Sequence, residues 1–141
     1  MPTSKKTCIL IVDDCADTVE ILRRNLLSKK YQVATAASVA EALRVLETAP
    51  VDLVVTDLKM PGASGLELIR HVCENCRNTE IMMITGYASV EGAVEAVKTG
   101  AEEYLSKPFT DEELFSAVER ALAKLRRRRV GRARPAAGPA S

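Results

Sequence analysis

The sequence predicts an α/β protein built on a doubly wound, five-stranded parallel sheet with helices on both faces. Three short and almost wholly apolar runs, residues 8–12, 53–56 and 81–84, predict strands that are buried on both sides, as strands of parallel sheets are. Segments with a helical repeat of apolar residues separate the predicted strands. Five alternations of strand and helix favour parallel strands joined by right-handed crossovers.

The first part of the chain contains two predicted strands and two predicted helices. The first strand leads into a helix whose apolar residues repeat at helical spacing: Val19, Leu22 and Leu26. Residues 31–36 mix polar and apolar side chains and predict the second strand. Ser38 and Glu41 then form a capping box, in which each side chain accepts a hydrogen bond from the other residue's backbone N–H, and this pair opens the second helix.

The middle of the chain repeats this pattern around the third and fourth predicted strands. A turn with Pro61 and Gly62 follows the third strand, and Ser64 with Glu67 repeats the capping pattern before the third helix. After the fourth strand, a fourth helix is predicted from apolar residues at helical spacing: Val90, Val94 and Val97. This helix is predicted to end at Gly100, because glycine readily adopts the left-handed conformation of a helix C-terminal cap.

The last predicted elements are a short strand, residues 102–106, and a fifth helix. Lys107 and Pro108 follow the strand, and Thr110 with Glu113 forms a further capping box. The core face of the fifth helix is predicted from four residues: Leu114, Val118, Leu122 and Leu125.

The composition of the strands predicts their order in the sheet. The three apolar strands belong in the centre, and the second and fifth strands, which include polar residues, belong at the edges. The order 2-1-3-4-5 meets this requirement. It places the carboxyl ends of the first and third strands at the topological switch point, where open parallel sheets bind ligands. Asp13, Asp14 and Asp57 are therefore expected to converge on one crevice.

The length of 141 residues fits a single domain with its own core. No apolar stretch approaches the roughly 20 residues that a membrane-spanning helix needs. No segment of signal-peptide length precedes the first strand, so we expect a cytoplasmic protein without membrane contact. The expected organisation is a flexible N-terminus at residues 1–6, a domain at residues 7–127, and a basic, disordered tail or linker at residues 128–141.

Basic charge is concentrated near the C-terminus. Six of the 20 basic residues lie beyond residue 125, and all are arginines: Arg126, Arg127, Arg128, Arg129, Arg132 and Arg134. No acidic residue lies beyond Glu119, so residues 1–125 carry 14 basic and 19 acidic residues. The arginine run is compatible with a solvated tail or linker, with salt-dependent contact to a polyanion, or with a specific partner. No aromatic residue or recognition helix accompanies it, and we expect no specific nucleic acid binding by the domain.

The polar residues at the strand ends suit a metal-assisted phosphoryl site. Three carboxylates within a few ångströms repel one another, and a divalent cation relieves that repulsion; ligation by oxygen alone favours Mg²⁺. Lys107 adds a positive charge of the kind that holds phosphate, and the hydroxyl of Thr85 can donate a hydrogen bond to a phosphoryl oxygen. Asp57 is the natural nucleophile, because it stands alone on the third strand opposite the acid pair and its attack on phosphorus gives an acyl phosphate.

Four motifs, in this order and spacing, resemble the receiver domain of two-component response regulators: ILIVDD, VTDLKMPGASG, ITGYAS and EEYLSKPF. The resemblance covers about residues 7–127, and residues 85–109 are most similar to receivers of sigma-54-dependent activators. Receivers have the flavodoxin-like strand order 2-1-3-4-5, so the predicted order matches a known arrangement and is not an independent derivation. The resemblance implies a phosphoacceptor that signals in a phosphorelay and regulates transcription through an output domain or partner.

The resemblance also implies how phosphoryl group and metal are bound. Asp57 would take the phosphoryl group from a sensor histidine kinase or a phosphotransfer protein. Asp14, Asp57 and the backbone carbonyl of Lys59 would bind Mg²⁺ directly, and Asp13 would act through water.

A conformational switch is implied as well. Thr85 and Lys107 would hold the phosphoryl oxygens, and the Lys107–Pro108 peptide bond would be cis, a minority state for bonds to proline. Tyr104 would be the switch aromatic, which turns inward when Thr85 moves toward the phosphate. The fourth helix, fifth strand and fifth helix would form the surface that changes, and the two helices are the expected contact if phosphorylation drives homodimer formation.

Lys59 and Tyr87 lie two residues beyond Asp57 and Thr85, at positions where receivers commonly vary the lifetime of the phosphorylated state. Our hypothesis is that both side chains crowd the approach of the hydrolytic water. The phosphorylated state would then be comparatively long-lived.

Cys73 and Cys76 form a C-x-x-C pair with His71 beside it, a spacing also found in zinc and redox sites. Neither Cys8 nor Cys15 offers a matching second pair. Four residues follow the spacing of a helix's core stripe: Leu66, Ile69, Cys73 and Cys76. Because free cysteine behaves as a small apolar residue, we predict that the pair packs in the core and that His71 is a surface residue.

Two other functions are weighed against the phosphoacceptor. A Mg²⁺-dependent phosphohydrolase with an aspartyl nucleophile usually carries a D-x-D pattern, whereas Leu58 and Lys59 follow Asp57 here. A phosphorylation-independent adaptor would have no use for the acidic cluster and Lys107, since unused like charges only destabilise a fold. We therefore expect no enzyme, but a receiver that catalyses only its own phosphotransfer and dephosphorylation.

Overall fold

A computed structural model describes residues 7–57, 65–76, 78–85 and 103–133, without the side chains of residues 66, 85 and 130–133. Within these ranges the strands are β1 (Cys8–Val12), β2 (Gln32–Ala36), β3 (Leu53–Thr56), β4 (Glu80–Thr85) and β5 (Glu103–Ser106). The helices are α1 (Ala16–Ser28), α2 (Val39–Thr48), α3 (Gly65–Asn75) and the C-terminal helix α4 (Asp111–Ala133). None of these helices is both long and apolar enough to cross a membrane. The predicted fourth helix, with Val90, Val94 and Val97, lies outside the described residues.

All five strands run parallel in the order β2-β1-β3-β4-β5. β1 lies between β2 and β3, so that Ile9 pairs with Val33 on one side and with Leu53 on the other. β2 and β5, whose polar residues are mixed with apolar ones, form the two edges, whereas the polar residues of β3 and β4 lie only at the strand ends. The predicted fold class and strand order are confirmed.

The side chains of each strand alternate between two apolar layers. Ile9 and Ile11 of β1 belong to the layer that packs against α1 and the C-terminal helix. Leu10 and Val12 belong to the layer that packs against α2 and α3. Both faces of the sheet are therefore covered by helices. The same alternation determines toward which face the side chains of the residues after β1 and β3 point.

Side-chain caps begin two of the helices, as their sequence patterns predict. The backbone N–H of Glu41 donates to the Ser38 hydroxyl (3.2 Å), although the Glu41 carboxylate accepts from the N–H of Ala37 (2.9 Å), one residue earlier than a capping box requires. Thr110 and Glu113 form the complete reciprocal box at 3.0 and 2.8 Å. The predicted cap of α3 lies outside the described residues.

The C-terminal helix continues to Ala133, so the expectation of disorder from residue 128 is wrong for residues 128–133. Arginine supports helix formation, and Arg128 and Arg129 also form ion pairs with Glu80 and Asp52. These partners are 48 and 77 residues away in sequence. The local composition around Arg128 and Arg129 therefore gives no indication of these ion pairs.

The predicted core stripe of α3 is wrong for Cys73, which is exposed, while Cys76 is half-buried. The core residues of α3 are Leu68, Ile69 and Val72, of which only Ile69 belongs to the predicted stripe. Two apolar stripes share Ile69, and the stripe with the larger aliphatic side chains faces the sheet because it buries more apolar area. His71 is half-buried and does not belong to the core.

Candidate functional site

Asp13 and Asp57 directly follow β1 and β3, and the sheet fixes the backbone of both. The N–H of Asp13 donates to the carbonyl of Ala36 in β2, and the N–H of Asp57 donates to the carbonyl of Val12 in β1, each at 3.1 Å. Because Val12 is paired with Thr56, the next residues along the two strands are neighbours at the carboxyl edge. The structure thus brings these two predicted site residues together.

Lys107 joins the two aspartates from β5, which lies two strands away from β3. Its Nζ lies 3.4 Å from Asp13 Oδ2 and 3.3 Å from Asp57 Oδ2. Side chains two residues apart along a strand point to the same face of the sheet. Asp13, Asp57 and Lys107 each follow, by two residues, a residue of the layer that packs against the C-terminal helix; for Lys107 that residue is Leu105. One ammonium group therefore bridges two carboxylates. The Lys107–Pro108 peptide bond is cis.

The three charged side chains are largely withdrawn from solvent. The side chain of Asp13 is 5% exposed, that of Asp57 is 11% exposed, and that of Lys107 is 28% exposed. Asp13 Oδ1 accepts a hydrogen bond from the backbone N–H of Cys15 (2.9 Å), the N-cap residue of α1. Both carboxylate oxygens of Asp13 therefore have partners. The role of Cys15 was not predicted, and its position at the start of a helix directly after the acid pair is the signal that could have revealed it.

Thr56 is a second residue of the site that the sequence patterns did not indicate. Its side chain is fully buried, and its hydroxyl donates to the backbone carbonyl of Asp57 at 3.0 Å. A hydroxyl group at the end of a buried strand needs a hydrogen-bond partner, and this requirement is the available sequence signal. Thr56 thereby helps to position the backbone of Asp57.

The close approach of these groups changes their proton affinities. Burial raises the pKa of Asp13, and repulsion from Asp57 acts in the same direction, whereas the Cys15 N–H and the Lys107 charge lower it. Burial by itself would lower the pKa of Lys107, but attraction to Asp13 and Asp57 outweighs burial and raises the pKa above its ordinary value. Lys107 therefore stays protonated at neutral pH.

The donor atoms at this edge fit Mg²⁺ in chemical type. When ionised, Asp13, Asp14 and Asp57 place three negative charges against the single positive charge of Lys107, and a divalent cation would balance the excess. Asp14 is exposed and so open to a cation from solvent. Among the described residues, no group of three Asp, Glu, His or Cys side chains forms a metal site by itself. The implied ligand set has only two direct carboxylates, and its third member, the carbonyl of Lys59, lies outside the described residues.

The remaining predicted site residues are only partly described. Thr85 is the last residue of β4 and its backbone pairs with Ser106, but its side chain is outside the described part. Tyr104 is half-buried and packs against the apolar layer of α2 and α3. Lys59 and Tyr87 are outside the described residues altogether. The switch and lifetime roles of these residues stay predictions.

Residues 9–119 match the family described as the response regulator receiver domain. The chain belongs to this family. The matched range includes Asp13, Asp57 and Lys107, the three residues that the structure joins by ion pairs. The predicted resemblance to response regulator receivers is therefore confirmed.

Curated relatives of this receiver are much longer proteins. The response regulator protein PilR of Pseudomonas aeruginosa is 39% identical over 99 residues, which cover 70% of this chain and 22% of PilR. The C4-dicarboxylate transport transcriptional regulatory protein DctD of the same species is 35% identical over 125 residues, which cover 86% of this chain and 26% of DctD. The chain thus spans about a quarter of the length of these relatives.

Solved receivers share the fold. A response regulator receiver domain protein from Methanospirillum hungatei superposes with a TM-score of 0.83 at 29% identity and covers 87% of this chain and 98% of its own. The beryllofluoride-activated NtrC4 receiver domain dimer gives a TM-score of 0.79 at 31% identity, with 84% of this chain and 98% of that one covered.

Proposed function

We propose that this receiver is the phosphoacceptor module of a two-component phosphorelay. Asp57 takes a phosphoryl group from a histidine kinase or a phosphotransfer protein, with Mg²⁺ at the carboxyl edge of the sheet. The observation that carries this proposal is the bridge from Lys107 Nζ to Asp13 and Asp57 at 3.4 and 3.3 Å. A phosphoryl group in transit needs a nucleophile and a fixed positive charge held side by side, and this bridge supplies both.

Asp57 acts as the nucleophile in the proposed transfer. A carboxylate oxygen attacks the phosphorus of phosphohistidine, so that a P–O bond forms while the P–N bond breaks. The imidazole of the donor keeps the electron pair of the broken bond and takes up a proton from water. Since a carboxylate nucleophile has no proton to lose, the receiver needs no general base, and the product is an acyl phosphate on Asp57.

Lys107 is placed to stabilise the transferred group. Its ammonium already contacts Asp57 Oδ2, and a small movement of a flexible side chain brings it to the phosphoryl oxygens that Asp57 acquires. Asp14, Asp57 and the carbonyl of Lys59 would hold Mg²⁺, which neutralises phosphoryl oxygens and orients them toward the nucleophile. Asp13 would act on the metal through water, because Cys15 and Lys107 already occupy its two oxygens.

The proposed output is a change at the surface formed by the predicted fourth helix, β5 and the C-terminal helix. Thr85 would follow the phosphoryl group, and Tyr104 would turn inward. Phosphorylation can act only by favouring an alternative conformation that already exists. The names of the relatives support an effect on transcription, of the kind that sigma-54-dependent activators have, and the NtrC4 receiver dimer supports homodimer formation. The four free cysteines, at positions 8, 15, 73 and 76, fit the reducing cytoplasm in which we place the protein.

The proposal is tested by incubating the protein with Mg²⁺ and a small acyl-phosphate donor, followed by intact-mass measurement. We expect a single added phosphoryl group in the wild type and none in Asp57→Asn, whose side chain has nearly the same shape. A second control omits Mg²⁺ and should abolish or strongly slow the modification. Continuous turnover of the donor would support a phosphohydrolase instead, and an unmodified wild-type protein would support a phosphorylation-independent adaptor.

The proposed long lifetime of the phosphorylated state has its own test. Loss of phosphate is measured for the wild type and for a variant that combines Lys59→Asn with Tyr87→Ala. We expect faster loss in the variant, because smaller side chains give the hydrolytic water access to the acyl phosphate. An unchanged or slower rate in the variant contradicts this part of the proposal.

A further inference from the structure

The inward face of the C-terminal helix changes from apolar to basic at its last turns. Val118, Leu122 and Leu125 are buried against the sheet, and Arg128 occupies the next position of the same stripe. All described side chains beyond Leu125 in this helix are arginines. Among the described side chains, apolar packing of this helix therefore ends at Leu125, and contacts of the arginines hold the helix beyond it.

Arg128 pairs with a carboxylate that is almost completely buried. Its Nη1 donates to Glu80 Oε1, and its Nη2 donates to the carbonyl of Thr79 at 3.3 Å. Glu80 is the first residue of β4, and its side chain is only 4% exposed. A carboxylate at this depth requires a charged or strongly hydrogen-bonding partner, so the position of Arg128 is closely determined.

Arg129 makes a second, more exposed pair at the neighbouring strand. Its Nη2 donates to Asp52 Oδ1 at 2.7 Å and to the carbonyl of Asn78 at 2.8 Å. The other oxygen of Asp52 accepts from the backbone N–H of Cys8 at 2.8 Å. Asp52 lies immediately before β3 and Cys8 begins β1, so this pair connects the helix end to the start of two central strands.

We propose that these contacts form an arginine latch, made of Arg128 and Arg129 with Glu80 and Asp52. The latch fastens the end of the C-terminal helix to the amino-terminal edge of the sheet. Because Asp57 lies at the carboxyl edge, the chain beyond residue 133 starts from a fixed point at the opposite end of the receiver. The latch is a structural property of the receiver, goes beyond the proposed function, and does not depend on phosphorylation.

The latch also divides the four arginines of the run with described side chains into two groups. Arg128 and Arg129 are bound by acids of the core, whereas Arg126 and Arg127 are exposed and point away from it. The two pairs differ in their sensitivity to salt. Glu80 is shielded from ions by its burial, whereas the Arg129 side chain is 42% exposed and that of Asp52 is 25% exposed, so salt screens the outer pair more strongly.

The test is amide hydrogen exchange of peptides that cover residues 126–133, measured on the full chain at roughly 0.05 M salt, where exposed pairs are weakly screened. Arg128→Gln should accelerate exchange about tenfold, because the last two turns then open locally without unfolding the core. Arg127→Gln is the matched control, since it removes the same charge one residue away at an exposed position, and it should leave exchange within about twofold of the wild type. Equal exchange rates in Arg128→Gln and Arg127→Gln would overturn the latch.

Arg128→Gln removes the Arg128 charge from the buried carboxylate of Glu80, and a loss of global stability would obscure the local effect. Arg129→Gln avoids this problem, because Asp52 is partly exposed and still accepts the Cys8 N–H. It should accelerate exchange of the same peptides at low salt, and the difference from the wild type should shrink at roughly 0.5 M salt. No acceleration at low salt would contradict the latch.

The latch and the proposed function fail in different measurements. Arg129→Gln should accept a phosphoryl group like the wild type, since Asp57 lies at the other edge of the sheet. A wild-type protein that is not phosphorylated would overturn the proposed function and leave the exchange result intact. Normal phosphorylation with unchanged exchange in both latch variants would overturn the latch alone.

Discussion

Replacing Lys107 with methionine removes the ammonium that bridges Asp13 and Asp57 and keeps a side chain of similar length. The two carboxylates are 5% and 11% exposed, so solvent can compensate little of the lost charge. Without Mg²⁺ they would face each other directly. We expect Lys107→Met to fold but to be less stable than the wild type at neutral pH in the presence of a chelator.

The expected loss follows from two ion pairs at 3.4 and 3.3 Å. At an effective dielectric constant of about 20, each pair contributes a gross attraction of about 5 kcal/mol, and at the value of bulk water about 1 kcal/mol. The Lys107 side chain is 28% exposed, which places the pairs between these limits, and methionine avoids the cost of desolvating an ammonium. We expect a net loss of about 2 kcal/mol, below the roughly 3–5 kcal/mol for removing one partner of a fully buried pair.

The pH dependence of this loss has a definite sign. The pKa of Asp13 is raised mainly by burial, and loss of the Lys107 charge raises it further. A carboxyl group whose pKa is higher in the folded state than in the unfolded state favours folding at low pH, and this contribution disappears as pH rises through the folded-state pKa. The gap between the wild type and Lys107→Met should therefore be small near pH 4 and fully developed at pH 7.

Urea denaturation between about pH 4 and pH 8, with a chelator present, measures this gap. Arg127→Gln serves as the control, because it removes one positive charge at an exposed position and should change stability by no more than about 0.5 kcal/mol. Addition of Mg²⁺ should restore part of the stability of Lys107→Met, since a cation that binds only the folded state stabilises it. Equal stability of Lys107→Met and the wild type at pH 7, or a gap of the same size at pH 4, would refute the electrostatic reasoning.

Three further predictions concern stability. Asp13→Asn should stabilise the protein at pH values above the ordinary pKa of aspartate and not below it. The pKa of Asp13 is raised in the folded state, so the carboxyl group destabilises the folded state only when it is ionised. An effect on stability that does not change with pH in urea denaturation would contradict this. Thr110→Ala should lower the free energy of unfolding by about 1 kcal/mol, because it removes the cap of the C-terminal helix. Ser116→Ala, at an exposed position of the same helix, should leave the stability almost unchanged. Similar urea midpoints for the two variants would speak against the cap. Leu22→Ala should lower the free energy of unfolding by roughly 2–5 kcal/mol, because this side chain is only 1% exposed. Leu27, in the same helix, is 44% exposed, and Leu27→Ala should lower it by less than about 1 kcal/mol. An equal loss of stability of the two variants in thermal denaturation would contradict the assigned core.

The fold class, the strand order and most of the described elements could be predicted because many of their signals are local. The end of each strand can be recognised in the sequence. The apolar or mixed composition of a strand indicates whether it lies at the centre or the edge of the sheet. Thr110 and Glu113 form their predicted capping box because a cap involves residues only three positions apart. Helix α3 carries two overlapping stripes of apolar residues, one with Val72 and one with Cys73, so its local pattern does not decide which stripe is buried. In the folded protein the stripe with Val72 packs against the sheet, and Cys73 is exposed.

The candidate site was predictable for a related reason. Parallel strands all end at one edge, so Asp13 and Asp57 had to be neighbours once the strand order was known. The roles of Cys15 and Thr56 were not predicted, because they depend on which backbone group each residue meets after folding. A hydrogen bond of this kind leaves no periodic pattern in the sequence.

The sequence by itself determined the α/β class and the ends of the strands, because periodicity encodes them locally, and with the known strand order of receivers it predicted that Asp13 and Asp57 meet at the carboxyl edge. Only the tertiary structure decided that Lys107 bridges two carboxylates and that Arg128 and Arg129 are bound by Glu80 and Asp52. The composition of the arginine run indicated a disordered tail, whereas its partners lie 48 and 77 residues away. The physical reason is that a charge has no preferred partner along the chain, and folding determines which opposite charge lies within reach.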